Sequence, residues 1–589
     1  MPAGAMNASA AESATRDGMD AVRKGDMALA LACFRRAALS APRDPLALRR
    51  FGASLSQTGA NGEAIGVLMD ALALSPTDQV TARLLGRVAE KAVESDGGLA
   101  PATPPSAEML LAVLVQGSLD LQPFAPLCAE YLKTRSALAP AVTVAAGEGA
   151  AWLLSAPGGA ALGDPVLLAY LSGLISMDAD VEALLTALRR RIVLDNRAAV
   201  PAAFLAALAR QCRNNEYVFF EQDDETAAVD ALGMRLEAAL RDGRGVGDDV
   251  LAFALYRPLA SLEGHERLGR DAPIRDPDAA RFVREDIDAA TEQAAIMAAL
   301  PVLTPLAGAV TGTVARHYEE RPYPRWLSLT PCDVGTRLPL GRDELRERGC
   351  DILVAGCGTG RQAIAAATLF GPRARILAID LSRASLAYAE RMTRRYGLGN
   401  IRYAVADILA LDRLDMRFDV IECTGVLHHL SDPLKGWRIL ASLLAPDGIM
   451  WTGLYSSRAR TKINRWRASA AERGIGLSDA AIRRFRHEMM AGARTTNTIE
   501  LTADLFSLSG IRDLIFHQQE AQFTIREIGE CLDRLGLEFA GFDLPAEKVR
   551  QVFAGSRSDP RDLAAWEDIE DRNPELFLGM YNFWCRKPR

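Results

Sequence analysis

Two groups of residues in this chain have the types and spacing for chemistry. In the first, the apolar run Asp351-Ile352-Leu353-Val354-Ala355 feeds directly into Gly356-Cys357-Gly358-Thr359-Gly360, and residues 361–370 continue with helical character. Glycine lets a backbone turn sharply and approach a ligand with no side chain between them. Amides at a helix start then hold a polar ligand end. Acids recur where the next strands should stop, Asp380 after 374–379 and Asp407 after 401–406. A carboxylate at the first position can accept both hydroxyls of a ribose, and one at the second is placed to meet an adenine amino group. The second group is built on histidine. His428-His429 follows the strand 418–423, and His517 and Glu520 stand in a long later insertion. Imidazole titrates near neutrality, so His428 and His517 are the candidate bases for an acceptor that must lose a proton. His517 and Glu520 have no second histidine in a paired zincin arrangement, so no metal site is expected.

A glycine loop of this kind is shared with dinucleotide-binding oxidoreductases, so the elements around it must narrow the choice. Strands are predicted at 351–355, 374–379, 401–406, 418–423 and 448–454, with a helix at 382–396 and a turn at 444–448. Two more follow the insertion, at 537–544 and 581–586. This order resembles class I S-adenosylmethionine-dependent methyltransferases, especially those acting in small-molecule and quinone methylation. The resemblance is clear over 348–458 and resumes over 529–589. It implies an α/β Rossmann-like domain with a seven-stranded mixed sheet whose last strand inserts antiparallel. It also implies S-adenosyl-L-methionine as cofactor, held by Gly356, Cys357, Gly358, Gly360, Asp380, Leu381, Asp407, Ile408 and Glu422. Residues 422–428 would line the floor between cofactor and substrate. An oxidoreductase would leave Asp407 and Leu427-His428-His429 unexplained.

Ahead of the first strand lies His317-Tyr318-Glu319-Glu320-Arg321-Pro322-Tyr323-Pro324-Arg325-Trp326. Two prolines stiffen it, and its aromatics and arginines offer stacking and carboxylate binding. In many related enzymes this segment covers the cofactor as a lid. Tyr318, Tyr323 and Arg325 therefore join His517 and Glu520 as expected substrate contacts. The insertion 456–526 opens with Arg458, Arg460, Lys462, Arg465, Trp466 and Arg467, which reads either as an anion or RNA patch or as a solvated helix face.

The N-terminal half shows a repeat. Gly18, Gly25, Ala30, Phe34, Ala37 and Pro42 recur 34 residues later as Gly52, Gly59, Ala64, Leu68, Ala71 and Pro76. Small residues let helices cross closely and proline ends the second helix, and this pattern resembles tetratricopeptide repeats. The expected division is a disordered 1–15, repeats over 16–105, a degenerate or separate helical domain over 106–285, a linker and lid over 286–347, and the methyltransferase domain over 348–589. The charged run 264–282 reads as a domain-joining region. Gln211, Asn214, Asn215 and Glu216 read either as a recognition surface or as helix caps beside a core of Tyr217, Val218, Phe219 and Phe220.

Composition supports this organisation. A chain of 589 residues needs two or more cores. Its net charge of -7 gives no cationic field for gripping a phosphate backbone, which disfavours nucleic acid as a partner. Nine cysteines without CxxC spacing fit a reducing cytoplasm. The first residues do not read as a secretory signal, and no apolar run is long enough to span a membrane. The joined architecture is similar to bacterial proteins that couple tetratricopeptide repeats to a methyltransferase. The expected activity is direct in-line methyl transfer to a protein or peptide-linked acceptor recruited by the helical half. The alternatives are an enzyme for a small metabolite and a non-catalytic scaffold.

Overall fold

In the computed structural model the chain forms two compact units. One comprises Met1–Ile287, Leu327–Thr330 and Met490–Leu501, the other Asp288–Trp326, Pro331–Met489 and Thr502–Arg589. The structure describes residues 3–94, 98–155, 157–195, 200–247, 249–268, 274, 276–305, 318–332, 338–496, 502–577 and 579–588. His317 and part of the charged run 264–282 lie outside them.

The first unit is all helical. It opens with α1 (Ala3–Arg23), α2 (Met27–Ser40), α3 (Pro45–Gln57), α4 (Asn61–Leu74) and α5 (Gln79–Glu94). Helices α2 and α4 are each 14 residues long and occupy the same places in the 34-residue period. Aspartates start the helices at matching positions. Asp44 accepts from Leu46 N–H at 2.9 Å, ahead of a proline suited to the first turn, and Asp78 accepts from Val80 N–H at 3.0 Å. The repeated glycines mark helix crossings. A Cβ on Gly18 would lie 2.7 Å from the Phe34 ring, and one on Gly52 would lie 2.7 Å from Leu68.

One expectation is corrected in this unit, and one open choice is decided. Residues 1–15 were expected to be disordered, but the chain is helical from Ala3. Alanine favours helix and its small side chain allows close packing; Ala11, Ala14 and Ala21 are buried as α1 packs on α2. The polar cluster at 211–216 is packing rather than a recognition surface. Gln211 accepts from Ser176 N–H and donates to Leu174 O at 2.8 Å, while Asn214 donates to Ser172 O and Asn215 accepts from Tyr217 N–H. Gly52→Val is expected to force the α3–α4 crossing apart and destabilise the repeat by about 1–3 kcal/mol. An earlier thermal transition in circular dichroism would register it.

The second unit carries a seven-stranded sheet in the order β3-β2-β1-β4-β5-β7-β6. Its strands are β1 (Asp351–Ala355), β2 (Arg375–Asp380), β3 (Ile401–Val405), β4 (Phe418–Thr424), β5 (Leu444–Tyr455), β6 (Glu538–Phe542) and β7 (Met580–Arg586). Strands β1 to β5 pair in parallel, and β7 inserts antiparallel between β5 and β6. This is the mixed sheet implied by the resemblance. Strand order reverses at β1, which has β2 on one side and β4 on the other. Ligands of open parallel sheets bind outside the carboxyl ends at such a reversal. One face packs Leu353, Ile421, Leu427 and Trp437 into a core, and the other packs Ile352, Val354, Ala363 and Phe370. The insertion supplies the helices Thr461–Glu472, Asp479–Thr496 and Leu508–Phe516. Among the described residues no helix is long and apolar enough to cross a membrane.

Candidate active site

Strands β1 and β2 run in register, so Gly356 and Asp380 reach the same edge of the sheet. The N–H groups of Gly356 and Cys357 both donate to Ile379 O, at 2.8 and 2.9 Å, which welds the loop to the end of β2. Gly356, Gly358 and Gly360 have φ of 73°, 49° and 83°, a region that side chains disfavour. Space demands glycine as well. A Cβ on Gly356 would lie 2.4 Å from Val426, one on Gly358 2.7 Å from Tyr323 O, and one on Gly360 2.5 Å from Ala389.

Asp380 has a role that its sequence position did not announce. One carboxylate oxygen accepts from Gly358 N–H and the other from Ser382 N–H, each at 2.9 Å. It therefore folds the loop beside which it was expected to receive a ligand. Burial pushes its carboxyl up, and these backbone bonds pull it back. Asp407 is buried at the end of β3, accepting from Leu409 N–H at 2.9 Å while its own N–H donates to Thr304 Oγ1 at 2.7 Å. Ile408 is buried beside it, and burial drives the Cys357 thiol well above its ordinary range, so it stays protonated. A glycine-rich loop flanked by two carboxylates fits a cofactor with an adenosine and an amino-acid end. Asp380→Ala removes two bonds to a charged acceptor, each worth about 1.5–3 kcal/mol. It is expected to weaken cofactor binding at least tenfold in a calorimetric titration.

Residues Tyr318 to Trp326 lie across this loop. Thr359 Oγ1 donates to Pro324 O at 2.6 Å, and Trp326 Nε1 donates to Thr359 O at 3.2 Å. Ser382 Oγ donates to Tyr318 O at 3.1 Å, and Glu319 accepts from Ala384 N–H at 3.2 Å. The segment thus covers the loop through both backbone and side-chain contacts, while two of its tyrosines reach a polar pocket.

That pocket gathers three histidines. His428 is completely buried (0 % exposed), stacked on Tyr455 with ring centroids 3.9 Å apart. Neither of its ring nitrogens has a hydrogen-bond partner among the described residues. Gln519 separates the roles of the other two. Its carbonyl lies 2.7 Å from His429 Nδ1, which must donate, and its N–H donates to His517 Nδ1 at 3.2 Å. The His429 and His517 rings are 3.8 Å apart. Burial, reinforced by neighbouring positive charge, lowers His429 and His517 to about 4 and His428 well below its ordinary value. All three are neutral at physiological pH. Tyr318 OH donates to Asp513 at 2.7 Å, Tyr455 OH approaches its other oxygen at 3.4 Å, and Tyr323 OH donates to Asp504 at 3.1 Å. Burial and the charge of Asp513 push Asp504 up to about 6.

Of the expected acceptor contacts, Tyr318, Tyr323 and His517 converge here with His428. Glu520 does not serve as a free contact, because Arg460 at 2.7 Å, Arg467 at 3.3 Å and Gln522 at 2.8 Å all engage it. Arg325 lies 5.0 Å over the Tyr388 ring instead. Sequence reading gave no role to His429, although it adjoins His428, and missed Tyr455, Asp504 and Asp513. Part of the basic patch is paired internally: Arg458 with Glu570 and Asp571, Arg460 with Glu520, and Lys462 with Glu575.

Glu422, an expected cofactor contact, has polar neighbours within the protein. It is buried on β4, opposite Val354 of β1 and Trp451 of β5, with Gln362 and Asp543 as its polar neighbours. Burial pushes its carboxyl up to about 8, with the charge of Asp543 adding to the rise and the Gln362 amide offsetting part of it. The folded protein therefore keeps a proton that the unfolded chain loses near its ordinary value of 4.5. Stability should fall as pH rises through that window, by up to about 1.4 kcal/mol per pH unit, and level off above it. Glu422→Gln is expected to flatten this slope, and melting curves across the window check it.

Comparison with known proteins agrees with this geometry. Residues 346–493 match the family model described as a methyltransferase domain. With the sheet order above, the second unit contains a class-I-like S-adenosylmethionine methyltransferase domain, whose cofactor is S-adenosylmethionine, and an all-helical region precedes it. An uncharacterized protein of Synechococcus sp. is 32% identical over 252 residues, which are 39% of this chain and 60% of that protein. The ubiquinone biosynthesis O-methyltransferase of Coxiella burnetii is 30% identical over 112 residues, 19% of this chain and 46% of that enzyme. PKMT2 from Rickettsia typhi, solved in complex with AdoHcy, is 17% identical with a TM-score of 0.32, covering 41% of this chain and 50% of that one. The chain spans less than two thirds of the length of each of these proteins.

Proposed function

We propose that this protein transfers a methyl group from S-adenosylmethionine to a nucleophile held in the histidine–tyrosine pocket, and that the acceptor is a protein or peptide-linked group recruited by the helical unit. The observation that carries the reading is the union of pocket and glycine loop in one piece of chain. Val426 fills the space that Gly356 leaves open, and His428, two residues on, is buried with both ring nitrogens unmet by the described residues.

The cofactor supplies an already activated methyl group, so no covalent enzyme intermediate is required. The chain's own residues bind and align. The glycine loop, folded by Asp380, and Asp407 hold the cofactor end, and the segment Tyr318 to Trp326 excludes water from above the loop. Tyr318 and Tyr323 fix Asp513 and Asp504, which shape the acceptor side. His428 stays neutral and keeps a lone pair, so it can accept a hydrogen bond or a proton from the acceptor without first being deprotonated. The 34-residue hairpins support recruitment, because stacked repeats present extended surfaces to other chains. Free cysteines throughout support a reducing, cytoplasmic setting. The full burial of the pocket histidines favours a second reading, a small-metabolite acceptor.

Calorimetry with S-adenosylmethionine and its demethylated product tests the enzyme reading first, and absence of binding overturns it. Mass spectrometry of cell extract incubated with methyl-labelled cofactor then separates the acceptors. Label on protein supports recruitment, label on a metabolite supports the second reading, and no label in either leaves a cofactor-binding scaffold. With an acceptor in hand, His428→Ala is expected to lower turnover by about 100-fold or more while cofactor affinity holds. Unchanged turnover would remove His428 from the reaction.

A further inference from the structure

We propose that His429, His517 and Asp513 form a binding site for one divalent transition-metal ion in the wall of the acceptor pocket. One ligand atom from each of these residues lies within 4.8 Å of the others, and all three residues are buried. Two imidazoles and one carboxylate form a donor set suited to zinc, iron or cobalt. Three protein ligands leave coordination positions open, the pattern of sites that take a substrate or water rather than of closed structural ones. Around zinc at about 2.1 Å, tetrahedral ligand atoms stand about 3.4 Å apart. The side chains need to close by about 1.4 Å at most.

Two features beyond proximity point to a cation. The first is charge. Asp513 is 2 % exposed, and among the described residues no lysine or arginine forms an ion pair with it. Among the described residues its hydrogen bonds come from the neutral hydroxyls of Tyr318 and Tyr455. The nearby Arg460 is bonded to Glu520, and Asp504 adds a further carboxylate to the same pocket. Burying carboxylates without a bonded counter-charge is costly, and a divalent ion would remove that cost.

The second feature is orientation. Metal-binding histidines almost always donate their other ring N–H to a carbonyl or carboxylate, which fixes the tautomer. His429 does this through Nδ1 to Gln519 O at 2.7 Å, leaving Nε2 as the proton-free nitrogen. Tyr318 holds Asp513 in the same supporting manner. His517 is the adjustable ligand. Its Nδ1 accepts from Gln519 N–H at 3.2 Å, the long end of the normal range, so its proton rests on Nε2. Coordination through Nδ1 replaces that contact without moving a proton.

An acceptor hydroxyl or thiol bound at an open position would lose its proton more readily. The site goes beyond the methyl-transfer reading and does not depend on which acceptor is used. The expectation that this region holds no metal followed from pairing His517 with Glu520, whereas the structure pairs it with His429 and Asp513.

The test uses the full chain, freed of metal by chelation and titrated with Co2+ and then Zn2+. The expected result is one equivalent of Co2+ per chain with visible ligand-field absorption, lost when Zn2+ displaces it. His429→Ala and Asp513→Asn are each expected to weaken Co2+ binding at least about tenfold. Tyr318→Phe keeps every ligand and should weaken it more modestly, which serves if a ligand variant fails to fold. Calorimetry with S-adenosylmethionine on the same samples reports the fold and tests the methyltransferase reading separately. The metal site is overturned if wild-type protein that binds S-adenosylmethionine takes up no stoichiometric Co2+. It is equally overturned if uptake is unchanged in the ligand variants, or if the bands are those of cysteine thiolate coordination.

Discussion

The glycine loop after β1 is packed from three directions into space that side chains would otherwise occupy. Val426 enters from the end of β4, the Tyr323 carbonyl from the segment above, and Ala389 from the helix Arg383–Arg395. Each approach stands within 2.4–2.7 Å of where a Cβ would be. The left-handed φ values set the path of the loop, and the missing side chains let three elements converge on it. The Val426 approach joins the loop to the histidine–tyrosine pocket. A side chain at Gly356 would push away the stretch that carries His428 and His429.

Asp380 converts that packing into a rigid site. Its carboxylate ties the loop at Gly358 to the helix start at Ser382, and Ser382 in turn holds Tyr318 and Glu319. Cofactor cradle, helix and covering segment are thus linked through one buried anion. The histidine–tyrosine pocket follows a different logic. Burial strips its histidines of charge, while Glu520 is taken up by Arg460 and Arg467 within the insertion. The result is a pocket rich in neutral donors and acceptors beside two carboxylates that tyrosine hydroxyls hold in place.

Close approach also organises the helical unit, by the same means. Gly18 and Gly52 occupy equivalent positions and each would press a Cβ against the residue one hairpin partner provides, Phe34 or Leu68. Beyond α5 the unit relies on buried polar side chains that satisfy backbone groups, as Gln211 does at Ser176 and Leu174.

Local order made much of this protein legible before its structure. The strands of the sheet, the glycine loop, Asp380, Asp407 and the 34-residue period are all written in short windows, because strands, turns and helix crossings depend on neighbours a few residues apart. The antiparallel final strand followed from family likeness. Sequence could also nominate His428 and His517 as chemically able. It could not show that His429 would stack on His517, or that Asp513 and Tyr318 would meet, since these residues come from segments far apart in the chain. Nor could it show that Glu520 would be consumed by Arg460, or that Glu422 would face Gln362 and Asp543. Which donors remain available, and which charges burial suppresses, depend on the packing of distant segments around them. Only the tertiary structure decides that, because desolvation and hydrogen-bond competition act through space rather than along the chain.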